Sequence, residues 1–304
     1  MMTEARQPVV GLALGSGSAR GWAHIGVLRA LAQAGIQPDL VCGSSMGALV
    51  GAAYAVGELD RFEHWVCHLG LTEVVSFMDF NLSGGMLKGE RLMDFFKRHF
   101  ADRPIETLDM PFAAVATGLH SGAEVWLRSG SVADAVRASI ALPGVFTPAR
   151  HEGRLLVDGG LVNPVPVSLA RAMGADIVIA VDLNSDILGR HLRKNEPVRD
   201  EVGERGDWLQ RIQNNLDAWL PGNEDVEPGL PSMLDVVAAS INIMQTRITR
   251  SRMAGDPPEV VVAPRLAHLG LLDFHRAEEA MAAGEAALQA CLPRLREIGL
   301  GAQA

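Results

Sequence analysis

The chain has 304 residues, 48% apolar and 21% charged, which is enough to bury a sizeable core and too apolar for a disordered protein. Its 27 basic and 36 acidic residues leave a net charge of −9, so nucleic acid is not expected as a partner and an anionic membrane gains no electrostatic hold. Cys42, Cys67 and Cys291 are odd in number and widely spaced, which argues against a disulfide framework, offers no metal-ligand spacing and fits a reducing compartment.

Met1 to Gln7 carries Glu4 and Arg6 and lacks the basic, apolar, small-residue order of a signal peptide, so export by that route is not expected. Pro8 to Leu14 is short, apolar and bounded by turn residues, as a buried parallel strand is. Gly15-Ser16-Gly17-Ser18-Ala19-Arg20-Gly21 then opens a helix over Trp22–Ala34, which Gly35 ends. A second strand, Asp39–Gly43, leads to a second helix, Met46–Val56, and two such βα units predict a parallel sheet. The uncharged run from Leu40 to Gly57 reads as buried strand and helix, not as a membrane span.

Helices are expected over 61–75 and 89–100, separated by the glycine-rich loop Asn81 to Met86. Pro111–Ala116 and Ala123–Leu127 read as paired strands around His120-Ser121-Gly122. A short helix at Val132–Ser139, a strand at Arg154–Val157 ending on Asp158-Gly159-Gly160, a helix at Pro164–Met173 and a strand at Asp176–Val181 continue the α/β rhythm. Asn184 to Leu230 interrupts it with ten acidic and six basic residues. Within it Trp208, Leu209, Ile212, Leu216, Trp219 and Leu220 share one helical face, which packing on the body, a lid, a dimer contact or a lipid interface could cover. Helix, strand and helix at 233–252, 259–263 and 276–292 complete the chain. The expected organisation is one domain over 8–304: a motif-bearing core (8–185), a charged insertion (184–230) and a C-terminal helix-strand-helix segment (232–304).

Gly43-Ser44-Ser45-Met46-Gly47 fits G-x-S-x-G, whose glycines allow a sharp strand-to-helix turn that presents the central hydroxyl at a helix start. Unpaired amides and the positive dipole end there favour an alkoxide or oxyanion beside Ser45. The loop at 15–21 should stand next to this elbow, where its amides could form an oxyanion hole, usually worth about 3 to 4 kcal/mol per well-placed donor. A dinucleotide fingerprint is disfavoured, because Arg20 occupies the third glycine position. None of the nine histidines (His24, His64, His68, His99, His120, His151, His191, His268 and His275) stands in a recognisable catalytic frame. Asp158 ends a strand before two glycines and is the better candidate base, its alternative being a turn residue or helix cap.

Taken together, Ala19-Arg20-Gly21, His24 to Leu28, the Gly43–Gly47 elbow, the block Ser139 to Phe146 and Asp158-Gly159-Gly160 resemble a bacterial-type patatin-like phospholipase over roughly residues 8–185. The resemblance implies a three-layer α/β/α fold with a mainly parallel central sheet. It also implies hydrolysis of lipid acyl esters by a Ser–Asp dyad, without metal or organic cofactor. Carried onto this chain, Ser45 is the nucleophile and Asp158 the base, while the amides around Gly17, Ser18 and Ala19, with Arg20 and Met46, bind oxyanion and substrate. Many members have three successive glycines where this chain has Ser16-Gly17-Ser18, so a serine there carries strain if its φ is positive. The expected partner is a lipid or acyl-ester substrate met in the cytoplasm; peripheral contact with a membrane's inner face and homo-oligomerisation stay open. An acyltransferase on the same elbow, a triad using His191, His268 or His275, and a non-catalytic scaffold are the competing readings.

Overall fold

The computed structural model describes residues 6–70, 93–94, 96–98, 102–187 and 233–301. The helix expected over 61–75 instead spans Leu59–Cys67, and residues 68–70 are not helical; residues 71–75, the loop Asn81 to Met86 and the amphipathic face at 208–220 lie outside the described residues. Of the helix expected over 89–100, residues 93–94 and 96–98 are described, and they are helical.

An eight-stranded sheet forms the middle layer: β1 (Val10–Leu14), β2 (Leu40–Ser44), β3 (Phe112–Gly118), β4 (Glu124–Leu127), β5 (Ala149–His151), β6 (Arg154–Asp158), β7 (Ile177–Val181) and β8 (Val260–Val262). Hydrogen-bonded neighbours run β5-β6-β3-β2-β1-β7-β8, with β4 also on β3. The five strands from β3 through β8 along that path pair in parallel, whereas β4, β5 and β6 join antiparallel. The helices are α1 (Ala23–Gln33), α2 (Met46–Ala55), α3 (Leu59–Cys67), α4 (Val132–Ser139), α5 (Val167–Ala172), α6 (Met233–Gly255) and α7 (Ala277–Glu297).

Side chains alternate across a strand, and that period sorts the two outer layers. Leu12 and Leu14 of β1 join Ile25, Leu31, Leu49, Val136 and Leu288, placing α1, α2, α4 and α7 on one face. Ala13, with Cys42, Ala113, Val115, Val178 and Ala180, packs against Leu169 and Ala170 of α5 on the other. The result is a three-layer α/β/α arrangement around a mainly parallel sheet.

Three local features differ from the sequence reading. The glycine loop enters α1 through a 3-10 turn at Ser18–Trp22, so the α-helix begins at Ala23. Strand β5 was absent from the expectation, because it is three residues long and only half-buried. Its hairpin turn uses Glu152 at φ 46 and Gly153 at φ 76, and glutamate is not the residue such a turn signals. The last helix runs past Pro293 to Glu297, where the fully buried Leu295 continues the apolar stripe that Leu288 begins.

Register brings two distant segments together. Ser44 pairs with Val115 and Asp158 with Ala116, consecutive residues of β3. Strand β4 pairs with that same stretch, Val115 with Trp126 and Ala116 with Val125, so it holds the opposite edge of β3. Strand β6 therefore takes up the edge of β3 where β2 leaves it for the elbow.

Candidate active site

The turn from β2 to α2 forces Ser45 into φ 56, ψ −124, a setting that side-chain-bearing residues rarely adopt and that costs on the order of 1–3 kcal/mol. Both frame glycines are sterically required. A Cβ on Gly43 would stand 2.3 Å from the Gly47 backbone, and one on Gly47 would stand 2.1 Å from the Leu14 carbonyl oxygen. The Ser45 N–H donates to Ser139 Oγ at 2.9 Å, while its carbonyl accepts from Ala48 and Leu49 at 2.9 and 3.2 Å as α2 begins.

Ser45 Oγ donates to Asp158 Oδ2 at 2.6 Å. The other carboxylate oxygen, Oδ1, accepts from Gly160 N–H at 2.7 Å, so both oxygens are fixed. Thr117 Oγ1 donates to the Asp158 carbonyl at 2.7 Å, and Asp158 N–H donates to Ala141 at 2.9 Å. Asp158 is fully buried, and that desolvation lifts its pKa to about 6 against the lowering by its hydrogen bonds from Ser45 and Gly160. The group is thus still ionised at neutral pH and more basic than an ordinary carboxylate.

The glycine loop lies against the elbow, since a Cβ on Gly21 would meet Met46 Cβ at 2.4 Å. Met46 itself starts α2 and is nearly buried. Four loop amides are already committed: Gly15 to Val181 O (3.0 Å), Ser16 to Pro164 O (2.8 Å), Ala19 to Leu271 O (3.1 Å) and Arg20 to Gly17 O (3.2 Å). Among the described residues, the amides of Gly17 and Ser18 have no protein acceptor. Gly17 is extended at φ 177, whereas Ser18 takes φ 51, so the strain foreseen for a serine in this loop falls on Ser18. Its hydroxyl donates to the Leu271 carbonyl at 2.6 Å and ties the strained residue to the segment before α7.

Arg20 is buried, with Nε donating to the Gly17 carbonyl at 3.1 Å and a terminal nitrogen donating to Asn242 Oδ1 at 3.1 Å. Burial lowers its pKa to about 10 while Asp186 and Asp182 raise it, so it stays charged. His24, fully buried on α1, meets the Gly15 carbonyl through Nε2 at 2.7 Å. A carbonyl only accepts, so Nε2 carries the proton; desolvation holds the pKa near 4 and the ring neutral. His24 thus braces the loop from behind. Histidines 268 and 275, two of the triad candidates, lie in the segment before α7, with His268 Nε2 2.7 Å from Glu279; His191 is outside the described residues.

Several contacts at this site escape a reading by motif. Ser139 lies in a stretch the sequence singles out, yet only the fold shows its hydroxyl under the Ser45 amide. Asn184, Asn242, Gln245 and Leu271 carry no local signature and arrive from far along the chain. Among the described residues no three His, Cys, Asp or Glu side chains converge as a metal site requires.

Residues 12–171 match the model of the patatin-like phospholipase family. An uncharacterized NTE family protein of Mycobacterium tuberculosis is 35% identical, with 92% of this chain and 90% of that protein covered. Patatin-like phospholipase domain-containing protein 6 of Mus musculus is 38% identical over 58% of this chain and 14% of its own length. Patatin-like phospholipase domain-containing protein 7 of the same species is 36% identical over 58% and 14%.

Proposed function

The chain belongs to the patatin-like phospholipase family, a family of lipid acyl ester hydrolases, and on that premise we propose that it cleaves acyl esters of lipids with a Ser45–Asp158 dyad. The 2.6 Å hydrogen bond from Ser45 Oγ to Asp158 Oδ2 carries this reading. Asp158 takes the Ser45 proton as Oγ attacks the ester carbonyl carbon, and the carbonyl oxygen becomes an oxyanion. The Gly17 and Ser18 amides are the donors for that oxyanion, with the α2 N-terminus beside it. As the tetrahedral intermediate collapses, the C–O bond to the alcohol breaks and the alcohol leaves with the proton held by Asp158. Water then gives a proton to Asp158 and attacks the acyl-serine, releasing the carboxylic acid and returning the proton to Ser45 Oγ.

In this reading Arg20 and Ala19 have a supporting part. Arg20 holds the Gly17 carbonyl, and Ala19 spends its amide on Leu271. Met46 forms the wall between the loop and the elbow. No helix among the described residues is long and apolar enough to cross a membrane. Three free cysteines suit a reducing compartment, and the enzyme of this reading is cytoplasmic and meets its lipid at the membrane's inner face. The test is an ester-hydrolysis assay with fluorophosphonate labelling: Ser45→Ala should lose both, and Asp158→Asn should lose most turnover. Wild-type turnover in either variant would refute the dyad.

A further inference from the structure

Resting on the reading of Ser45 as nucleophile and of the Gly17 amide as an oxyanion donor, we propose that Asn184 and Gln245 form a side-chain amide clamp that aims that donor. Neither residue lies in the stretch 12–171 matched by the family model. Asn184 follows β7, and Gln245 sits on α6 beyond the charged insertion.

The clamp is defined by four polar atoms. Asn184 Nδ2 donates to the Ser16 carbonyl at 3.3 Å and to Gln245 Oε1 at 3.2 Å. Ser16 Oγ donates to the same Gln245 Oε1 at 3.2 Å. All three residues are buried. The Ser16 carbonyl can only accept, so Asn184 must present its NH2 group. That NH2 group can only donate, so Gln245 must present its oxygen. One backbone carbonyl thereby fixes the orientation of both side-chain amides.

The held carbonyl belongs to the same planar trans peptide as the Gly17 N–H, and in such a unit the two groups point in opposite directions. Fixing the Ser16 oxygen therefore fixes the direction of the Gly17 N–H. The next peptide is held in the same way, with Arg20 Nε on the Gly17 carbonyl setting the Ser18 N–H. Each free amide of the loop is thus aimed through its partner carbonyl by a buried side chain.

Asn184 is itself anchored: its N–H donates to Asp182 Oδ1 at 2.9 Å, and its carbonyl accepts from Thr246 Oγ1 at 3.5 Å. Gln245 also lies against Gly160, whose N–H holds the base. A Cβ on Gly160 would stand 2.6 Å from Gln245 Nε2 and 2.9 Å from Asp158 Oδ1. Helix α6 therefore sets the spacing between the oxyanion loop and the Asp158-Gly159-Gly160 turn. Asn184 and Gln245 are positioning residues, acting through the Ser16–Gly17 peptide.

The experiment compares Gln245→Met, Asn184→Ala and the double variant with wild type on a short-chain ester and with an alkyl trifluoromethyl ketone. Ser45 Oγ adds to the ketone carbon, its proton passes to Asp158, and the hemiketal oxygen carries the oxyanion charge. Each single variant should lose kcat by about tenfold or more, a part of the 10²–10³ that a missing oxyanion donor costs, with KM within about twofold. The inhibition constant for the ketone should rise by the same factor as kcat falls. Because the residues form one clamp, the double variant should be little worse than the worse single one. If Gln245→Met does not yield folded protein by circular dichroism, Gln245→Asn and Ser16→Ala carry the same comparison. Unchanged kcat, a rise in KM alone, or fully multiplicative losses in the double variant would overturn the clamp. Ser45→Ala serves as the control: if it keeps its turnover, the dyad fails, whereas an inactive Ser45→Ala beside a fully active Gln245→Met defeats the clamp alone.

Discussion

Among the described residues two serines hold a left-handed backbone setting, Ser45 at φ 56 in the elbow and Ser18 at φ 51 in the glycine loop, and they are held in different ways. Ser45 is fixed mainly from nearby, by glycines two residues before and after it and by the end of β1 behind Gly47. Ser18 is fixed from a distance, through the Leu271 carbonyl, and its loop is braced by Arg20, Asn184 and Gln245. The proposed nucleophile therefore has its geometry written into five consecutive residues. The proposed oxyanion donors owe theirs to tertiary contacts that close only when α6 and the segment before α7 dock.

That contrast can be broken at several points. The largest effect belongs to Ser45→Ala, which should lower turnover by about 10⁴-fold or more, as removal of a nucleophile does in serine hydrolases, with the thermal midpoint little changed. An ester assay with calorimetry checks both halves. Asp158→Asn should cost about 10²- to 10⁴-fold in kcat, the usual range for a general base.

The same substitution should raise stability. The folded pKa of Asp158, about 6, lies above the unfolded carboxylate value, so its protonated form favours the native state. That stabilisation is fully present below the unfolded pKa and is lost as pH rises through about 6. At pH 7 the buried carboxylate therefore costs the fold about 3 kcal/mol, which asparagine would not. Denaturation of wild type and Asp158→Asn at pH 5 and pH 8 should show the variant's advantage widening at the higher pH, and an advantage independent of pH would contradict the assignment.

The elbow and the loop should also differ in their tolerance of single methyl groups. Gly47→Ala drives a Cβ onto backbone that cannot yield, and should cost about 3 kcal/mol or more together with fluorophosphonate labelling. In the loop the smallest effects are expected, and their order is informative. Ser18→Gly relieves the positive φ while losing the bond to Leu271, so stability should move by no more than about 1 kcal/mol. Ser18→Ala loses the bond and keeps the strain, so it should be the less stable of the two by about 1 kcal/mol. Chemical denaturation of the pair decides this, and equal stabilities would remove the backbone strain assigned to Ser18.

How much of this was legible in the sequence follows the same division. The strands β1, β2 and β7 announce themselves as short apolar runs, and the helices that follow β1 and β2 begin at glycine-marked turns. The motif Asp158-Gly159-Gly160 pointed to a base, and Gly159 shows why glycine is needed, since a Cβ there would meet the Val115 carbonyl at 2.1 Å. Strand β5 was illegible because three half-buried residues carry no period. Asn184 and Gln245 were illegible for another reason. An amide on a helix or after a strand resembles any polar surface residue until the fold reveals the carbonyl it must satisfy. The commitment of the Ala19 amide to Leu271, which among the described residues leaves the Gly17 and Ser18 amides without an acceptor, belongs to that same class.

The dyad is tested most directly by the rate of fluorophosphonate labelling across pH, with the modified residue identified by mass spectrometry of the peptide. The expected result is an adduct on Ser45 whose second-order rate of formation rises with pH through an apparent pKa of about 6 and then levels. In Asp158→Asn both the rate and the inflection should collapse. Labelling of Asp158→Asn at the wild-type rate, or a wild-type inflection that survives the substitution, would show that another group activates Ser45.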